Sequence, residues 1–201
     1  ELVQALRQAV PSLAGLVLNT NTKDTNVILG PNYRTIWGRD FLEERLCGMT
    51  FRLSVPSFFQ INRAQTERLY AQALEFAGLT GRETVLDLYC GIGTISLALA
   101  QRAGQVIGAE IVPEAGQDAQ ANAARNQVDN ARFLCGDAGE AAFQLAAEGV
   151  RPQVICVDPP RKGLAPEVPE ILASMAPDRI VYVSCDPATR ARGVTRCGEL
   201  G

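Results

Sequence analysis

The 201-residue chain contains no histidine. That absence excludes the serine and cysteine hydrolases that take their base from an imidazole. Its six cysteines, Cys47, Cys90, Cys135, Cys156, Cys185 and Cys197, include no CxxC pair, so zinc and iron–sulfur spacings are missing and no metal is expected. No apolar run approaches the ~20 residues that cross a bilayer, and no basic-then-apolar leader opens the sequence. Neither sign of charge dominates: 19 Lys and Arg stand against 22 Asp and Glu, a net −3. Proteins that grip nucleic acid through one segment alone are more often basic, so the balance counts mildly against autonomous binding.

What is present reads as an ordinary globular chain, 47% apolar and 20% charged. Cys90, Cys135 and Cys156 lie in or beside apolar strand-like runs and read as small buried thiols of a reducing cytoplasm. Leu2, Leu6 and Val10 recur at helical spacing until Pro11 stops them. From Leu16 to about Leu53 short strand-like pieces follow (Gly15 to Asn19, Asn26 to Leu29 and Arg34 to Trp37), separated by turn residues. They predict a small antiparallel β module. Phe51 to Asn62 (FRLSVPSFFQIN) is a junction, and a helix is expected from about Arg63 to Ala77. The sequence opens on a helical pattern at Glu1 and breaks off after another, so it reads as a piece of a longer protein.

Strands are expected near 84–88, 105–109, 131–135, 153–157 and 179–183, each followed by helical sequence. That alternation predicts a mostly parallel sheet covered on both faces. Ligands of such sheets sit at the carboxyl ends of the strands. The first unit, Thr84 to Glu110, is a strand, a Gly91-x-Gly93 turn, a helix and a second strand ending on an acid. This describes a pocket for a nucleoside-bearing cofactor. The glycines let backbone approach a ligand, and Glu110 can accept two ribose hydroxyls, whether of NAD or of S-adenosylmethionine. Where a phosphate binder wants a third glycine, position 96 is Ser. Asp137 suits either an adenine amino group or a helix N-cap.

Asp158-Pro159-Pro160-Arg161 is more specific. Paired prolines after a strand fix a rigid turn that presents Asp158 and nearby carbonyls to a planar polar group. A dehydrogenase has no need of that element. Cys185 stands at the mouth of the last strand, before a helix that Pro187 can open, where a thiol is drawn toward thiolate. A nucleophilic thiol beside a methyl donor suits carbon-5 methylation of a pyrimidine, since addition at carbon 6 is what makes carbon 5 nucleophilic.

At these residues LDLYCGIGT, DPPRKG and VSCDPAT, with SFFQIN upstream, the chain resembles the RNA uracil-5-methyltransferases that make 5-methyluridine in ribosomal and transfer RNA. The resemblance implies that Gln60, Tyr89, Glu110 and Asp158 contact S-adenosylmethionine and that Cys185 is the nucleophile. Phe58 and Phe59 would then lie near cofactor and base, although composition alone suits them to a core equally. Many relatives have Asn where Asp186 stands. Family members also carry a late segment with a glutamate base and histidines, and many carry an N-terminal RNA-binding barrel and an iron–sulfur cysteine cluster. None of these is present, nor is the terminal hairpin usual for the sheet.

The expectation is therefore an α/β chain with the Rossmann-like class I S-adenosylmethionine-dependent methyltransferase fold. Residues 1–55 would belong to a β-rich module and 56–201 to the methyltransferase domain. The expected activity is methylation of uridine carbon 5 in RNA, ribosomal RNA ahead of transfer RNA, by a cytoplasmic monomer. Cys185 would be catalytic, and Gln60, Tyr89, Gly91, Gly93, Glu110, Asp137 and Asp158 would bind S-adenosylmethionine. The base would be flipped out of its stack, with Arg161, Lys162, Arg190 and Arg192 available to phosphates. The rivals are an amino-group methyltransferase without covalent catalysis and an inactive cofactor- or RNA-binding fragment.

Overall fold

Two antiparallel hairpins lead into the sheet. The computed structural model describes residues 1–24 and 28–199. Helix α1 (Leu2–Ala9) precedes β1 (Gly15–Thr20), which pairs with β2 (Asn32–Gly38). Of the expected piece over 26–29, residues 26 and 27 lie outside the described residues, and Ile28 and Leu29 are not in a strand. A second hairpin, not singled out in the sequence, joins β3 (Phe41–Leu46) to β4 (Met49–Ser54). Its two-residue turn, Cys47 and Gly48, has φ of 51° and 79°, the doubly positive turn that suits strand twist.

Helix α2 (Arg63–Ala77) follows. Asn62 caps it by accepting from Gln65 N–H, and left-handed Gly78 ends it. From there the alternation runs as expected: β5 (Thr84–Leu88), α3 (Thr94–Ala100), β6 (Gln105–Glu110), α4 (Pro113–Arg125), β7 (Ala131–Cys135), α5 (Ala138–Ala147), β8 (Val154–Val157), α6 (Val168–Ser174), β9 (Arg179–Tyr182) and α7 (Pro187–Glu199). The five strands pair in parallel in the order β7-β6-β5-β8-β9. Strand order reverses about β5, and the crevice between the carboxyl ends of β5 and its neighbours is where such sheets bind ligands.

Alternate strand residues feed two apolar clusters, one per face. Val85, Val106, Val154, Cys156 and Val181 pack with α2, α3 and α4. Leu86, Leu88, Ile107, Ile155 and Val157 pack with α5 and α6. The first cluster also takes in Leu46, Met49, Phe51 and Leu53, so the second hairpin shares the core of the sheet. Among the described residues, no helix is long and apolar enough to cross a membrane.

Candidate methyl-donor and nucleophile site

The chain leaves β5 by an abrupt turn. Tyr89 has φ of 66°, a left-handed conformation that L residues avoid, followed by Gly91 at 55° and Gly93 at 82°. The two glycines serve different ends. A Cβ on Gly91 would meet nothing within 4 Å, so that backbone faces open space, as close approach to a ligand requires. A Cβ on Gly93 would lie 3.1 Å from Phe133 Cζ and 3.2 Å from Ala119 Cβ. Gly93 thus makes room for packing and starts α3.

Glu110 ends β6 as expected and is held from both sides. Its Oε2 accepts from Gly91 N–H at 2.9 Å and its Oε1 from Val112 N–H at 2.9 Å. The carboxylate is fixed beside the turn with lone pairs to spare, which suits a ribose diol. Glu110 is not the cap of the next helix, since the N-cap of α4 is Val112. Asp137, by contrast, does cap α5, accepting from Gly139 N–H at 2.8 Å. Burial pushes the Tyr89 hydroxyl up to about 12, with Asp137 adding to the effect.

Ser96, which stands where a third glycine would, is buried, and its hydroxyl donates to Asp87 Oδ2 at 2.5 Å. Asp87 is 1% exposed. Burial drives its carboxyl up to about 7, against the Ser96 bond, and Asp158 and Glu110 push the same way. Thr94, at the start of α3, shares a hydrogen with Tyr70 of α2 at 2.7 Å. Neither pair was picked out from sequence, though an acid inside an apolar strand with Ser nine residues on was a readable signal.

Asp158 and Cys185 leave the sheet side by side. Val157 pairs with Tyr182, and Val183 N–H donates to Val157 O at 2.9 Å. Asp158 N–H reaches Leu88 O at 3.4 Å, across the point where strand order reverses. The half-buried Asp158 carboxyl is raised by desolvation. Pro159 is buried and Pro160 exposed, as are Arg161, Lys162, Arg190 and Arg192.

Cys185 is exposed. The first amides of α7 do not turn to the thiol, because Asp186 takes them: its Oδ1 accepts from Ala188 N–H at 2.8 Å and Thr189 N–H at 3.0 Å. Those bonds hold the Asp186 carboxyl below its ordinary range. Ser184 Oγ accepts from Asp186 N–H at 3.0 Å and donates to Asp186 O at 2.9 Å, tightening the turn that carries Cys185. One expectation fails at Cys135, which is exposed at the end of the edge strand β7, whereas Cys90 and Cys156 are buried. An edge strand covers its last residue less than a central one.

Phe59 packs partly on the core, Phe58 is 74% exposed and Gln60 is half-buried. Among the described residues, no three His, Cys, Asp or Glu side chains gather as a metal site would need.

Comparisons with known proteins show which family the chain resembles. The family model of the tRNA (uracil-5-)-methyltransferases matches residues 5–197. An uncharacterised RNA methyltransferase of Lactiplantibacillus plantarum is 48% identical over all of this chain and 44% of its own length. One from Halalkalibacterium halodurans is 50% identical over 95% of this chain and 42% of its own. The chain thus spans less than half the length of these relatives. Among solved structures, the Pyrococcus abyssi tRNA (uracil-54, C5)-methyltransferase, in complex with S-adenosyl-L-homocysteine, superposes with a TM-score of 0.75 at 31% identity. That match covers 94% of this chain and 46% of the other. By the extent of the family match and the identity of its relatives, this chain belongs to the tRNA (uracil-5-)-methyltransferase family.

Proposed function

We propose that this chain supplies the donor pocket and nucleophile of an S-adenosylmethionine-dependent RNA uracil-5-methyltransferase. One observation carries the reading: a turn open at Gly91, with Glu110 fixed against it, shares a sheet edge with Asp158 and an exposed Cys185. Gly91 and Glu110 suit the adenosine of the donor, one by its open backbone face and the other by its spare lone pairs. Gln60, Tyr89, Gly93, Asp137 and Asp158 complete the proposed set. When bound, the donor supplies an electrophilic methyl group on a sulfonium.

Cys185 acts on the acceptor. Its thiolate sulfur bonds to carbon 6 of the uracil, and the electron pair of the 5,6 double bond moves onto carbon 5 and the carbonyl. Carbon 5 takes the methyl group as the methyl–sulfur bond of the donor breaks, its electron pair returning to sulfur and S-adenosylhomocysteine leaving. A base then removes the carbon-5 proton, the double bond re-forms, and the carbon–sulfur bond breaks to return the thiolate. Reaching carbon 6 requires the uridine to be out of its stack.

The proposed acceptor is a uridine of RNA, ribosomal RNA first. The family description and the Pyrococcus protein name transfer RNA, so both RNAs are offered in the assay. Full-length protein is incubated with 5-fluorouridine-substituted transcripts and donor. Without a carbon-5 proton to remove, the adduct persists, and a denaturation-stable protein–RNA band is expected with wild type but not Cys185→Ala. A band that survives Cys185→Ala would sink the nucleophile assignment.

A further inference from the structure

Helix α4 carries Asp118 and Asn122, and Asn126 follows at its C-cap, at intervals of four along a single stripe. Each bonds the backbone of one residue of β4. Thr50 N–H donates to Asn126 Oδ1 at 2.9 Å and Thr50 O accepts from Asn126 Nδ2 at 2.8 Å. Arg52 N–H donates to Asn122 Oδ1 at 2.7 Å and Arg52 O accepts from Asn122 Nδ2 at 3.2 Å. Ser54 N–H donates to Asp118 Oδ2 at 3.1 Å. Four helical residues advance about 6 Å and two strand residues about 6.7 Å, so the rungs keep step over this short run. The helix completes the edge of the hairpin as a third strand would.

Two rungs reach further. Asn122, 0% exposed, also donates to Ile92 O at 3.3 Å, inside the glycine turn. Asp118 Oδ2 also accepts from Ser57 Oγ at 3.0 Å, at the head of the segment that carries Gln60. The helix itself begins three residues after Glu110. One helix therefore ties together the glycine turn, the Gln60 segment and the strand end that carries Glu110.

We propose that Asn122 and Asp118 are positioning residues for the methyl donor, locking the glycine turn and the Gln60 segment onto the hairpin at fixed separation. The proposal rests on the reading that these segments hold the donor. Asn126 is the built-in control, because it grips the same strand without touching the turn or the Gln60 segment.

The test is donor affinity in the full-length protein, measured by calorimetry with S-adenosylmethionine and S-adenosylhomocysteine, beside the melting temperature. Asn122→Ala and Asn126→Ala should both lower the melting temperature. Only Asn122→Ala should weaken donor binding about tenfold, with Asn126→Ala changing it less than about twofold. Equal donor affinities in the two variants would overturn the proposal. If Asn122→Ala does not fold, Ser57→Ala, which removes one hydroxyl, decides it: a loss of about threefold or more supports the proposal and unchanged affinity overturns it. Wild-type protein that bound neither compound would instead overturn the functional reading, and this one with it.

Discussion

The two hairpins have the same topology and nearly the same strand lengths, yet they are stabilised differently. The first buries little: all seven residues of β2 are exposed except half-buried Trp37, and α1 buries none. It is held by local devices such as Asn19, which exchanges bonds with Gly30, and Arg7, whose guanidinium lies 4.7 Å from the Trp37 ring centroid. The second hairpin alternates buried and half-buried residues along β4 and places Phe51 in the core of the sheet. Strand pairing is common to both, so pairing is not what makes a hairpin part of a domain. Apolar alternation on one face and satisfied peptides on the open edge do that.

Substitutions can break this contrast or sharpen it. The largest effect is expected from Phe51→Ala, which opens a cavity in a site of 0% exposure and should cost about 3–5 kcal/mol in denaturant unfolding. Trp37→Ala should cost far less; equal costs would show that the first hairpin is docked as firmly as the second. Next comes Asn126→Ala, which strands both polar groups of Thr50 and should cost about 1–3 kcal/mol.

The face that receives β4 also holds Asp87, and this gives the contrast a pH dependence. Its carboxyl, ordinarily near 3.8, titrates at about 7 in the fold, so the folded state holds a proton that the unfolded chain has lost. Stability should therefore be full below about pH 4 and decline as pH rises to about 7, beyond which this contribution is gone. In Asp87→Asn, melting curves across that window should lose the decline; an unchanged slope would refute the assignment. The smallest effect is Arg7→Ala, about 0.5–1 kcal/mol for an exposed cation–π contact, and it should leave donor affinity untouched.

The contrast also explains what could be read from sequence. The five sheet strands were legible because both faces are covered, which leaves continuous runs such as Val154–Val157, buried at every position. The second hairpin was not singled out: four of the six residues of β3 are exposed, so Phe41–Leu46 reads as charged surface. Its docking was hidden for a related reason. Asp118, Asn122 and Asn126 look like a solvated helix face, and only their spacing of four, in residues that suit helix interiors poorly, hinted at another use.

At the site, Glu110 beside the glycine turn was legible because strand ends and glycines leave marks in sequence. The environment of Cys185 was not. The hold of Asp186 on the first amides of α7 depends on side-chain direction, which spacing alone does not give.

Tyr89 sets the terms on which this site can vary. A left-handed tyrosine stores about 1–2 kcal/mol that glycine would release. A drift to glycine there would therefore be rewarded in selections for thermal resistance alone, and it would remove the aromatic ring from the end of the strand that opens the glycine turn. Under the proposed function, selection for stability and selection for turnover should pull this position in opposite directions.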